Sequence, residues 1–121
     1  MDAETKLITG LKASTAVSDI IGDRIAPMVM EQKVLPPAIT YQRISTRPSN
    51  TLCSSCVPAS IVRMQVDLWT TDFETAVRLF EAAQKALIGI GTTFVNRRDL
   101  KDTVSGYFRI ISEFQIFQEA K

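Results

Sequence analysis

The stretch SIVRMQVDLWTT, residues 60–71, has the most regular alternation of apolar and polar residues in the chain and is the strongest indication of its fold. Alternate positions in it are apolar, and these are Val62, Met64, Val66 and Leu68. The positions between them are mostly polar, and these are Ile61, Arg63, Gln65, Asp67 and Trp69. Because successive side chains of a strand point to opposite faces, this alternation predicts a strand over Ser60–Thr71 with one face on the core. Ile61 and Trp69 give the second face some apolar character, which hints at a partner surface.

The main helix is predicted directly after this strand. Thr71 followed three residues later by Glu74 matches a capping box, in which the first residue is the N-cap. Apolar side chains at helical spacing then form one face, and these are Phe73, Ala76, Val77, Phe80, Ala83, Ala86 and Leu87. Gly89 and Gly91 end the helix.

The first part of the chain predicts a helix over Asp2–Ile21 that is interrupted near Ser14, a residue able to cap a second short helix. Gly22 is suited to the position that ends it. The other elements are all predicted strands, namely Arg24–Met30 (irregular or at an edge, because of Pro27), Ala38–Thr46, Thr92–Arg97 and Gly106–Phe117.

Loops of hairpin length are predicted at Arg47–Ala59 and Arg98–Ser105, and such loops favour antiparallel pairing. The strands cluster along the chain instead of alternating with helices, which favours an α+β fold over a parallel α/β sheet. The sequence therefore predicts one domain, residues 1–121, with a mostly antiparallel sheet of four to five strands. One long helix and an N-terminal helix pack on that sheet.

Composition limits the functions that the chain can have. Net charge is +1, so a field that attracts the whole protein to nucleic acid or acidic lipid is not expected. No apolar run approaches the ~20 residues that span a bilayer, and the acidic start of the chain does not resemble a signal peptide, which favours a cytoplasmic site of synthesis. The 121 residues include no histidine, which removes the commonest general base and metal ligand.

The acidic residues that could be imagined as an acid/base pair are predicted to be solvated instead, and these are Asp67, Asp72, Glu74 and Glu81. Cys53 and Cys56 form a C-x-x-C pair, but they lie in a predicted loop and not at the start of a helix after a strand, where a redox pair belongs. A zinc site needs four ligands, so two thiolates would need carboxylates or a second subunit. We expect no catalytic residues, no cofactor and no metal; an inter-subunit site or a labile disulfide stays the alternative for the two cysteines.

Basic side chains gather near the two predicted loops. Arg97, Arg98 and Lys101 lie at one, and Arg43 and Arg47 lie near the other. Such clusters are usually solvated, but mixed charges can also set register and partner choice between subunits. Together with Ile61 and Trp69, these five residues are the candidate protein-interface residues.

Four stretches resemble a known family. They are GDRIAP (22–27), LPPAITYQRIS (35–45), QVDLWTTDF (65–73) and GYFRIISEF (106–114). Together, in this order, they are similar to the tail-completion or tail-terminator proteins of long-tailed bacteriophages and prophages. The segment with Cys53 and Cys56 is not part of that pattern, so no role in the family transfers to it.

The resemblance implies an α+β fold and a ring, usually a hexamer, that caps the tail tube and joins it to the head connector. Its implied partners are other copies of itself, the tail tube protein and a neck protein, and its implied location is the virion. It implies no catalysis and no cofactor, while the absence of membrane contact and of specific nucleic-acid binding is expected from the hydropathy and net charge given above. The alternatives are another neck or connector component, a small α+β enzyme or ligand-binding domain, and a nucleic-acid-binding module.

Overall fold

The computed structural model describes residues 3–27, 36–49, 59–101 and 106–119. In chain order its elements are α1 (Ala3–Ala13), α2 (Thr15–Ile21), β1 (Ile25–Pro27), β2 (Ala38–Ser49), β3 (Ala59–Thr70), α3 (Phe73–Gly89), β4 (Thr93–Lys101) and β5 (Phe108–Glu119). The interruption predicted in the first helix is confirmed, because the Ser14 side chain accepts a hydrogen bond from the Val17 amide and begins α2. Gly22 ends α2 with a positive φ of 61°.

The strands form one mixed sheet in the order β1-β2-β3-β5-β4. The three pairings β2–β3, β3–β5 and β4–β5 are antiparallel, and β1 pairs with β2 in parallel. This arrangement confirms the predicted α+β class with mostly antiparallel pairing. Pro27 lies on the edge strand β1, where a residue without an amide proton costs the ladder nothing on its outer side.

The core lies between one face of the sheet and the helices. Val62, Met64, Val66 and Leu68 of β3 are fully buried there, as their alternation predicts. The helices contribute buried side chains to the same cluster, and these are Ala3, Leu7, Leu11, Val17, Ile21, Ala76, Leu79, Phe80, Ala83 and Leu87. Among the helices of the described ranges, none is long and apolar enough to cross a bilayer.

The predicted start and inner face of α3 need correction. Asp72, not Thr71, is the N-cap, because its carboxylate accepts hydrogen bonds from the Thr75 amide at 3.0 Å and from the Thr75 hydroxyl at 2.9 Å. Leu79 is buried, although the predicted face omits it. Phe73 is 52% exposed and makes only an edge contact with Phe108, so it marks the margin of the helix face and not its centre.

Two predicted loops are shorter than expected. β2 continues through Arg47 to Ser49, and β4 continues through Arg98 to Lys101. Each of these strands pairs with a long, regular neighbour, which satisfies backbone groups that local sequence alone would leave to a turn. The remainder of both predicted loops, residues 50–58 and 102–105, lies outside the described residues.

Replacing Asp72 with alanine tests the revised N-cap. Loss of the capping carboxylate should lower the midpoint of thermal unfolding by about 3–6 °C, because the Thr75 amide loses its acceptor. Thr71→Ala is the matched control and should change the midpoint much less. The opposite ranking of the two variants would restore the capping role to Thr71.

The difference in stability between the wild type and Asp72→Ala should depend on pH. The hydrogen bond from the Thr75 amide lowers the pKa of Asp72 below its ordinary value of 3.8. Stability from this group is therefore present above pH 3.8 and is lost as the pH falls through the lower folded-state pKa. Thermal melts of wild type and Asp72→Ala should converge in that acid range, and a gap that persists there would contradict an ionised cap.

Candidate protein-interaction surface

The second face of the sheet carries no helix in the described residues, and we call it the helix-free face. The pairing registers place on it the side chains that alternate with the core positions. They are Thr40, Gln42, Ser45 and Arg47 of β2, Ile61, Arg63, Gln65, Asp67 and Trp69 of β3, Arg109, Ile111, Glu113, Gln115 and Phe117 of β5, and Asn96, Arg98 and Leu100 of β4. This face combines arginine and aromatic groups, the side chains that are enriched at protein interfaces.

A buried ion pair lies at the centre of the helix-free face. Asp67, predicted to be solvated, is 0% exposed, which corrects that prediction. Its carboxylate accepts hydrogen bonds from Arg109 Nε at 2.9 Å and from the Arg109 terminal nitrogen Nη2, and Gln65 donates to its other oxygen at 3.0 Å. Since a buried carboxylate needs such partners, these three side chains act together to hold the middle of the face in one arrangement.

Trp69 belongs to the same network. The Arg109 guanidinium lies over the indole ring at 4.7 Å from its centroid, and the indole N–H donates to the Thr40 hydroxyl at 2.9 Å. Trp69 is therefore half-buried within its own sheet, and only part of the ring can contact a partner.

An apolar and basic row crosses one end of the helix-free face. Arg47, Ile61 and Phe117 are neighbours on three adjacent strands. Phe117 is 55% exposed, the largest value among the exposed large apolar side chains of the described residues. The interface prediction missed Phe117, although alternation along β5 puts it on the face opposite Phe114 and Ile116, both of which are buried.

The next row along the face forms a shallow pocket beside it. A cavity of about 200 Å³ is lined by Ser45, Arg47, Ile61, Arg63 and Gln115. In the described residues neither arginine of this pocket lies in an ion pair, whereas Arg43, Arg97 and Arg109 each have a carboxylate partner. Among the described residues, the two guanidinium groups of this pocket therefore have no carboxylate at ion-pair distance.

The other predicted interface residues lie elsewhere. Arg43 is on the helix side of the sheet and binds Glu4 of α1, with its Nε 2.9 Å from the carboxylate. Arg97 lies over the Phe80 ring, and Lys101 lies over the Phe108 ring, both on the helix side of β4. Arg98 alone of that cluster points to the helix-free face, opposite Ile111. Residues of one basic cluster in the sequence therefore lie on opposite faces of the sheet in the structure.

Arg97 also forms an exposed ion pair along its own strand. Its guanidinium donates two hydrogen bonds of 2.7 Å to Asp99, two residues along β4. The bond from Arg97 lowers the pKa of Asp99, and the bond to Asp99 raises the pKa of Arg97. Both groups are therefore charged at neutral pH. Because Asp99 already balances the charge of Arg97, the pair orders the edge of the sheet, and Arg97 is not a free cation.

The geometry of these residues suits contact with other molecules more than chemistry on a substrate. In the part of the chain that the structure describes, no cluster of three or more metal-ligating side chains occurs. Cys53 and Cys56 lie outside that part. The distinctive features are a sheet face without helices, a rigid polar centre, and an exposed apolar and basic end.

Comparison with known structures shows a similar fold. The fold matches a chain in the structure described as the virion of a native gene transfer agent particle, with a TM-score of 0.68 and 13% sequence identity. The match covers 98% of this chain and 95% of that one. No curated protein sequence matches the chain.

The family follows from a second comparison. The family model described as tail completion protein gp17 matches residues 5–119, nearly the whole chain. The chain therefore belongs to the tail completion protein gp17 family, as the resemblance of the four stretches indicated. It is a structural protein of a phage or phage-like tail.

Replacing Arg109 with methionine tests the centre of the helix-free face. The change should destabilise the fold by about 3 kcal/mol, because it leaves the Asp67 carboxylate buried with only Gln65 as a polar partner. Combining it with Asp67→Asn should recover part of the loss, since the buried group is then neutral. Urea unfolding measures both changes.

Arg78→Met is the matched control for that experiment. Arg78 is an exposed arginine of α3 outside the ion pairs of the described residues, so its loss should alter stability by no more than about 0.5 kcal/mol. If Arg109→Met were as mild as this control, the buried pair would not be holding the face together.

Proposed function

We propose that this protein forms a ring, in the virion a hexamer, that caps the finished tail tube and joins it to the head connector. Membership of the tail completion family is the observation that carries the proposal. Its partners are then other copies of itself, the tail tube protein and a neck protein. It assembles in the host cytoplasm, remains in the neck region of the virion, and acts without catalysis, cofactor, membrane or specific nucleic-acid contact.

Ring formation requires a particular kind of contact. Each subunit must use two different surfaces, one against each neighbour, and the rotation between neighbours must close. The helix-free face supplies one such surface, because it is broad, held rigid by Asp67 and Arg109, and ends in half-buried Ile61 and exposed Phe117.

The candidate interface residues then divide by role. Arg47, Ile61, Trp69 and Arg98 lie on the helix-free face and contact a neighbouring protein directly. Arg43, Arg97 and Lys101 lie on the helix side, where their bonds within the chain shape the surface around them. They contribute to a contact only through their exposed edges.

Particles made without this protein test the proposed function. If it caps the tube, deletion should give tails of irregular length that carry no head, because the tube then continues to grow and has nothing to join to the connector. Electron microscopy of lysates measures both features. Tails of normal length joined to heads would contradict a capping role, and headless tails of normal length would favour another neck component.

Phe117→Ser tests the assigned surface. Loss of this exposed ring should reduce incorporation of the protein into tails, because an apolar anchor on the helix-free face is removed. Ile88→Ser is the matched control, since Ile88 is similarly exposed, at 51% against 55%, but lies on α3. Equal incorporation of both variants, with unchanged stability, would exclude this end of the face as a contact.

A further inference from the structure

We propose that the pocket between Arg47 and Arg63 binds a carboxylate side chain from another protein chain of the virion. The inference rests on the proposed function, because it assumes that the helix-free face meets a neighbour. It adds the chemistry of the group that this neighbour must present.

The charge of Arg47 and Arg63 is not balanced by an ion pair among the described residues. Arg47 and Arg63 lie on adjacent strands at neighbouring positions of the helix-free face, and no carboxylate pairs with either in the described residues. Residues 50–58, which connect β2 to β3, contain no aspartate or glutamate. The connection between the two strands therefore has no acidic side chain, and Glu113 of β5, which lies on the same face, forms no ion pair with either arginine among the described residues.

The shape and lining of the pocket suit a carboxylate side chain. Its volume of about 200 Å³ suits one side chain, and the Ser45 hydroxyl and Gln115 amide line it together with the two guanidinium groups. Arginine pairs with carboxylates through two parallel hydrogen bonds, and a planar group between two arginines can use both. The lining is therefore suited to the two oxygens of an aspartate or glutamate.

Apolar side chains beside the pocket favour a protein over a nucleic acid as its partner. Ile61 lines the pocket, and Phe117 is exposed directly beside it. A protein segment can place an apolar side chain on this pair while its carboxylate enters the pocket, and an anchor of this kind lies typically at the centre of an interface. A nucleic-acid backbone would instead need a longer basic stripe than these two arginines.

Carbodiimide crosslinking in assembled particles tests the proposal. Arg63→Lys places a primary amine in the pocket, and a carbodiimide joins such an amine to a contacting carboxylate, forming an amide as the carbodiimide takes up the released water to become a urea. Particles are grown with this variant in the full chain and treated intact. Mass spectrometry then identifies the aspartate or glutamate joined to position 63.

An amide between position 63 and a carboxylate of another chain is the expected result. Particles carrying a mixture of isotope-labelled and unlabelled protein show whether that chain is a second copy. Arg78→Lys on α3 is the control and should give far less crosslinking between chains. Crosslinking only to the same chain, for example to Glu113 or Glu119, would overturn the proposal, as would no product in particles that contain the protein.

A binding measurement adds an independent outcome. Arg47→Gln combined with Arg63→Gln should weaken retention of the protein on purified tails about tenfold or more, because a partner carboxylate is left without its charge partners. Arg78→Gln should leave retention unchanged. A different result would show that the pocket binds phosphate and that the proposal is wrong. In that case the wild type binds duplex DNA, the double variant does not, and both are retained equally on tails.

These results can be separated from failure of the proposed function. If the wild-type protein were absent from the particles, it would have no place in the tail, and the proposed function would be wrong. Protein present at the end of the tube without a crosslink between chains from position 63 would refute only the carboxylate site.

Discussion

The alternation of side chains along β3 is the constraint on which the remaining structure depends. It places Val62, Met64, Val66 and Leu68 against the helices, with all four fully buried. The same geometry forces the intervening side chains onto the opposite face, because neighbouring residues of a strand cannot share a side. A shift of register by one residue would exchange the two sets, so the core and the helix-free face are fixed together.

The buried pair of Asp67 and Arg109 turns this second face into a defined surface. A carboxylate without solvent contact is costly unless its oxygens are fully paired, and here Arg109 and Gln65 pair them. The guanidinium also stacks on Trp69, so Arg109 of β5 holds both an acidic and an aromatic side chain of the neighbouring strand β3. Rigidity of this kind reduces the entropy lost when a partner binds.

Local sequence patterns predicted the fold well, whereas contacts between residues distant in the sequence were missed. The strand β3, the break at Ser14 and the sheet class all follow from local periodicity and capping. Burial of Asp67 could not be predicted, because its partner Arg109 is 42 residues away and only the β3–β5 register joins them. The strand position of Arg98 was mistaken for a turn for the same reason, since pairing with β5 outweighs local charge.

We have proposed that the helix-free face binds another protein of the tail. A cryo-electron microscopy reconstruction of the intact neck region tests it most directly, because it shows which surface of each subunit a neighbour covers. We expect a ring at the end of the tube in which Ile61 and Phe117 are covered by an adjacent chain. A ring whose subunits meet only through the helices, with this face open to solvent, would contradict the proposal.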